Sequence, residues 1–392
     1  MRNKSYRINL LSAATFLLLS AGVAWPATPA DQYVSRTMKL VSEQRRGVAR
    51  LTPHAERTGN ALLAGGAFWI AGTDKGWVSE ATGRAGGPAA SMPLPSPEKA
   101  RKGDVVWLSF SQSSYESDLK TAQALEDRGC IVTAFGPRPP RGRTQFNHLL
   151  DSLTKWQEDE RLALMGNVLS LWSLTAEVAS YTARQGKTLV MLQSAVVPGA
   201  NERNAKHRTT TFHEGDVSMQ PVRSGVLASA YLDFVSTMMG GIRDHEMTKL
   251  LSVAAEVRAG AKESRPACIS VIGHMMPDVL ERGDKLFRIV RGGRNRQGLA
   301  EDLRQSRLFV WLGYTRVSDN VVETVRSASV KAVWILASDA KPTFELAGDV
   351  VIDQNWKTGD AAVEVPGYDV RILPPSAVAQ LFIYDILVRS AG

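Results

Sequence analysis

Only two cysteines, Cys130 and Cys268, occur in 392 residues. That count excludes a disulfide framework, and their spacing excludes a cysteine-ligated zinc cluster. Each sits at the edge of an apolar strand-like run, the setting of a buried free thiol. One bridge between them is the alternative in an oxidising compartment. Histidine is scarce too, with six residues, and His245-Glu246 lacks the second histidine four positions after the first that a zincin helix needs. No Walker loop is present, and Gly65-Gly66 and Gly86-Gly87 do not make a dinucleotide fingerprint. No cofactor is therefore indicated. The basic patches Arg138 to Arg143 and Arg288 to Arg296 carry no interleaved aromatics, which argues against nucleic acid as a partner.

One long apolar run is present and no second one follows it. Arg2, Lys4 and Arg7 precede Ile8 to Trp25, which contains Phe16-Leu-Leu-Leu19 and leads into Pro26-Ala-Thr-Pro-Ala30. This order reads as a secretory signal peptide over 1–30, with Ala30 as the last residue before cleavage. An uncleaved membrane anchor is the alternative. Without those three basic residues the formal charge falls from +8 to +5, with 44 basic against 39 acidic residues. The expectation is an exported chain, in the periplasm or cell envelope, with no membrane span after the leader.

The remaining length exceeds what one core usually holds. Ala67 to Ala71, Asp104 to Leu108 and Cys130 to Phe135 are short apolar runs separated by helical patterns. Such runs, without period-two alternation, predict parallel strands buried on both faces. Ala267 to Ile272, Leu308 to Leu312, Lys331 to Leu336 and Val350 to Asp353 repeat the order. The fold expected is α/β: parallel sheets with flanking helices, in two related domains at 31–198 and 263–392. Between them, 199–262 reads as a helical connecting region. A further strand is expected at Lys187 to Gln193, and an irregular lid-like loop at Gly87 to Pro97. Trp69, Trp107, Trp311 and Trp334 lie in or beside strands and are expected in the core, whereas Trp77 follows the first loop.

The second apolar run ends in a hydroxyl cluster: Ser109, Ser111, Ser113 and Ser114, with Gln112 among them. A helical pattern starts at Glu116. Hydroxyls and unpartnered backbone N–H groups then converge at a helix N-terminus, which favours an anion. One serine would suffice for a cap, so the cluster is a candidate ligand loop. Thr73 and Lys75 follow the first strand, where ligands sit in open α/β sheets.

Three stretches resemble the SIS (sugar isomerase) domain. Gly66 to Gly76 is placed like the family's first strand and loop. Glu80-Ala-Thr-Gly-Arg84 is similar to the E-x-T-G-R segment of phosphoheptose isomerases, and Ser109 to Ser114 to the family's phosphate loop. Gly359 to Gly367 resembles the end of some SIS-like proteins. Two SIS-like halves, each a flavodoxin-like parallel sheet with flanking helices, are implied, pairing as a homodimer or within the chain. Here the family's loop glycine is replaced by Gln112, and Asp74 stands where a hydroxyl residue is usual.

The resemblance implies a phosphorylated or otherwise anionic sugar derivative as ligand, held by Thr73, Lys75, Ser109, Ser111, Gln112, Ser113 and Ser114. It also makes Glu80 the candidate base of an aldose–ketose isomerase; an ion pair with Arg84 four residues on is the plainer explanation. The family's late histidine is missing from the last helix, and His245 or His274 could replace it only if the fold brought either close. His207, His213, Glu214 and Asp216 match no ligand spacing, so no metal is expected. Binding without turnover is therefore the leading reading. The active isomerase and a cell-envelope interaction protein are the alternatives.

Overall fold

The computed structural model describes residues 27–208, 210–282, 285–290, 296–340, 348–357 and 359–392. Residues 1–26 of the expected leader, and 291–295 of the basic patch Arg288 to Arg296, lie outside them. The chain enters as helix α1 (Pro29–Arg46), capped by a reciprocal Thr28–Asp31 box. Ala30, expected to precede the folded chain, is instead buried in this helix.

After α2 (Thr52–Leu63), the first sheet unfolds as β1 (Phe68–Ala71), α3 (Lys75–Ala81), β2 (Ser91–Pro93), β3 (Val105–Ser109), α4 (Tyr115–Asp127), β4 (Ile131–Gly136) and β5 (Leu149–Asp151). The middle segment holds α5 (Glu160–Arg184), α6 (Ala200–His207), α7 (Val226–Gly241) and α8 (Met247–Lys262). The second sheet follows as β6 (Ala267–Val271), α9 (Met276–Glu281), β7 (Phe287–Ile289), α10 (Arg296–Arg304), β8 (Leu308–Leu312), α11 (Asp319–Ser327), β9 (Lys331–Leu336) and β10 (Val350–Asp353), and α12 (Ser376–Ala391) closes the chain.

Both sheets are fully parallel. Their orders are β2-β1-β3-β4-β5 and β10-β9-β8-β6-β7. Read from the other edge, the second repeats the first, and both have the flavodoxin-like order. Every residue of Val105–Ser109 and of Leu308–Leu312 is buried, as continuous apolar strands covered on two faces require.

One hydrophobic core runs through both halves, from Phe68 and Trp107 to Phe309 and Trp334. Helices α5 and α12 form its centre; α5 is long and apolar enough to cross a membrane, but its apolar window is wholly buried. The region expected as a connector, 199–262, contributes Tyr231, Val235 and Val253 to this core through α7 and α8. These two helices are joined by a π-turn at Ile242–Glu246. The halves also meet through equivalent helices, α3 packing on α9.

Some sequence expectations need correction. Lys187 to Gln193 forms isolated bridges to Ala85, Pro88 and Phe212 and joins neither sheet. The loop at Gly87 to Pro97 carries an edge strand, β2, that pairs with β1. Strands β2, β5 and β7 were not expected; each has three residues, too few to show a period. Cys130 and Cys268 are both free and buried. Trp77, although it follows the first loop, is fully buried against Phe135.

Candidate functional site

The ends of β1 and β3 come together at Gly72 and Ser109. A cavity of about 320 Å³ opens beside them, lined by Ser109, Ser111 and Asn167, with Asp74, Glu160 and Arg282 at its rim. This is the switch point of a 2-1-3-4-5 sheet, where open α/β folds hold ligands. Three elements close it: the loop after β3, the start of α5, and α9 from the second half through Val279 and Arg282.

Asn167 organises the floor. Its Nδ2 donates to the Ser109 hydroxyl at 3.1 Å and to the Phe110 carbonyl at 3.2 Å. A carbonyl can only accept, so this contact fixes the amide nitrogen there. Oδ1 is left as a buried acceptor with no partner. Sequence reasoning missed Asn167, because it lies inside a long apolar helix and nothing local points it toward Ser109.

The other hydroxyls of the loop mainly satisfy one another. Ser111 N–H donates to the Ser114 hydroxyl at 3.0 Å, the hydroxyls of Ser111 and Ser113 lie 2.9 Å apart, and Ser113 donates to Glu160 at 2.6 Å. Ser113, Ser114 and the exposed Gln112 do not line the cavity. Thr73 and Lys75 lie elsewhere, in a second cleft formed with Pro93 to Pro97. There Thr73 donates through N–H and hydroxyl to Asp118, at 3.1 and 3.0 Å, and so fastens the first loop to α4. Of the seven expected ligand contacts, only Ser109 and Ser111 share the cavity.

The charge at this site is mixed. Asp74, Asp159 and Glu160 face Arg161 and Arg282. Arg282 is paired with Asp74 at 2.9 Å and Arg161 with Asp385 at 2.9 Å. Asp74 also caps α3 by accepting from Trp77 N–H at 3.1 Å. Burial pushes the Asp385 carboxyl up to about 6 despite Arg161 and Arg389.

Glu80 is not in this cavity. It is fully buried, and Arg84 is 1% exposed. Their pair, Arg84 Nε to Glu80 Oε1 at 3.1 Å, is the expected i,i+4 contact. Arg84 also reaches across to Asp360 of the second half at 2.8 Å. Asp360 in turn accepts from Ser376 N–H and hydroxyl at 3.1 and 3.0 Å, so both partners tie to the start of α12.

Two carboxylates thus share one guanidinium. Burial, which outweighs Arg84, and the repulsion of Asp360 raise Glu80 to about 7. His274 is the histidine the fold brings near, bonded to the main chain of Ser79; burial and Arg84 hold it down to about 4, hence neutral.

A pH dependence follows. Glu80 titrates higher in the folded chain than its ordinary 4.5, so the folded state holds the extra proton between those values. Stability from this group therefore falls as pH rises from about 4.5 to about 7 and is level above. Glu80→Gln should remove this part of the slope, on the order of 1–3 kcal/mol, in urea titrations at stepped pH. An unchanged slope would show that Glu80 stays ionised throughout.

The architecture defines a class: a doubled flavodoxin-like α/β protein with a ligand-sized cavity between its halves. More particularly, the fold is the tandem SIS-type fold. The chain is similar to the C-terminal domain of glucosamine-fructose-6-phosphate aminotransferase from Francisella tularensis, over 95% of this chain and 98% of that one, with TM-score 0.52 and 9% identity. It is equally similar to a proposed sugar binding protein from Salmonella typhimurium LT2, over 93% and 98%, with TM-score 0.52 and 11% identity. No family model and no curated protein matches the sequence.

Proposed function

We propose that this is an exported protein that binds a sugar derivative, without turnover, in the cavity at Ser109, Ser111 and Asn167. The observation that carries the reading is the cavity at the switch point, lined by Ser109, Ser111 and Asn167 and closed by the second half through Val279 and Arg282. The cavity volume, about 320 Å³, falls at the small end of ligand clefts, roughly 300–1,000 Å³, as a single sugar requires.

The same rim bears on the ligand's charge. A phosphate dianion would meet three carboxylates and two arginines already engaged. At about 4 Å each repulsion is worth roughly 1 kcal/mol in water and more in a cleft. A neutral or amine-bearing sugar fits this charge better than the phosphosugar expected from the sequence. Glu80 is fully buried and joined to Arg84, so the isomerase alternative gives it no contact with a substrate in this cavity.

Calorimetric titration of the full chain with neutral sugars, amino sugars and their phosphates tests the reading. Asn167→Ala is expected to weaken binding about tenfold or more, and Ser111→Ala about threefold to tenfold, as lost hydrogen bonds do. Binding equal in both variants and wild type would move the ligand elsewhere. Preference for phosphates would show that Arg161 and Arg282 leave their partners. Cell fractionation with the leader intact tests export.

A further inference from the structure

The middle segment carries a cluster that the sugar site does not use. His207 ends α6, and His213 lies on the following loop, where its N–H donates to the Thr188 carbonyl at 2.9 Å. Both imidazoles are buried and packed together, with ring centres 4.6 Å apart. One carboxylate serves both: His207 Nε2 lies 3.3 Å from Asp216 Oδ2, and His213 Nδ1 lies 3.0 Å from Asp216 Oδ1. Donor atoms of all three residues lie within 4.8 Å of one another.

We propose that His207, His213 and Asp216 bind one divalent cation of the zinc class. Two imidazole nitrogens and a carboxylate oxygen suit zinc and its late first-row neighbours, whereas magnesium and calcium prefer oxygen alone. Zinc bonds of roughly 2.0–2.2 Å in a tetrahedron place neighbouring ligand atoms about 3.3–3.5 Å apart. His207 Nε2 and His213 Nδ1 lie 3.3 and 3.0 Å from different oxygens of the one Asp216 carboxylate, so a bound ion needs only a small turn of that carboxylate to meet both rings.

A supporting shell is present as well. The Tyr368 hydroxyl lies 3.2 Å from His213 Nε2, so the ring presents Nδ1 to Asp216. Such an outer contact orients a metal-bound imidazole. Tyr368 comes from the second half, next to Asp369, which pairs with Arg203 of α6 at 2.6 Å. The ion would therefore fasten the middle segment where it meets the second half, in a structural role.

Lys206 competes for the same carboxylate. Its Nζ lies 2.6 Å from Asp216 Oδ2, yet its side chain is 64% exposed. The ammonium can move into water when a cation arrives. This competition gives a readout that an ordinary hydrogen-bonded histidine pair would not produce: Lys206→Met should tighten the metal.

The experiment uses the full chain, stripped with chelator and titrated with zinc sulfate against a chromophoric chelator, with cobalt as a spectroscopic substitute. One equivalent is expected, unaffected by a large excess of magnesium. Cobalt should give the intense visible bands of a tetrahedral site. His207→Ala and His213→Ala should each weaken zinc by about a hundredfold or more, Tyr368→Phe by about tenfold, and Lys206→Met should strengthen it severalfold. Substoichiometric zinc, weak octahedral cobalt bands, or equal affinity in the histidine variants would overturn the proposal. If a histidine variant fails to fold, the cobalt spectrum and Lys206→Met still decide.

Discussion

Arg84→Leu is expected to destabilise the protein by roughly 3–5 kcal/mol, the cost of removing one partner from a buried charge cluster. Glu80, Arg84 and Asp360 are all buried. Removing the guanidinium leaves two carboxylates without a counter-charge in a dry interface, and each must take up a proton or open the contact. The loss should be smaller at low pH, where the carboxyls are neutral, and greatest above about 7, the value to which Glu80 is raised.

The triple change Arg84→Leu, Glu80→Gln and Asp360→Asn should restore much of the stability, because it removes the uncompensated charges along with the cation. Urea unfolding at two pH values measures both outcomes. A loss below about 1 kcal/mol for Arg84→Leu would mean that water reaches the cluster. The result matters for function as well as for stability. Arg84 and Asp360 join the two halves, and Val279 and Arg282 of the second half close the cavity on the first. A weakened interface is expected to loosen that wall.

The parts of this fold that could be read from sequence were those fixed by local chemistry. The runs 105–108, 308–312 and 332–336 are apolar throughout, since both faces are covered, and each was legible as a strand. Ser91–Pro93 was not, because three residues ending in proline make a strand only through the neighbour at β1. Lys187 to Gln193 misled for the opposite reason. Its composition is strand-like, but its backbone groups pair with the loops at Gly87 and Thr211.

The site divided in the same way. Ser109 and Ser111 follow a strand end and could be read from position alone. The Glu80–Arg84 pair was legible from its spacing, but its burial depends on Asp360, which no local pattern links to it. Asn167 is brought to Ser109 by tertiary packing, so no local pattern could reveal it. His207, His213 and Asp216 were visible as a cluster in the sequence, but their spacing matches no known ligand pattern, and only the fold of the loop after α6 shows both rings on one carboxylate.

Gly72→Ala should separate the site from the scaffold. Gly72 follows β1 at φ +129°, and a Cβ there would lie 2.6 Å from the Ser109 carbonyl oxygen. That atom is backbone and cannot turn aside, so the end of β3 must move. The strained φ costs about 1–3 kcal/mol, and forcing two strand ends apart adds a similar amount. Gly65→Ala is the matched control. It has φ +90° with nothing within 4 Å of a new Cβ, so it carries the backbone strain without the collision. Both variants should therefore lose stability, Gly72→Ala by about 2 kcal/mol more. Only Gly72→Ala displaces Ser109, and with it the hydroxyl held by Asn167. Sugar affinity should fall in that variant and stay unchanged in Gly65→Ala, measured by titration at a temperature where both remain folded. Equal affinity in the two variants would place the ligand away from the β1–β3 junction. Equal stability losses would show that β3 accommodates the added methyl by a shift too small to disturb the site.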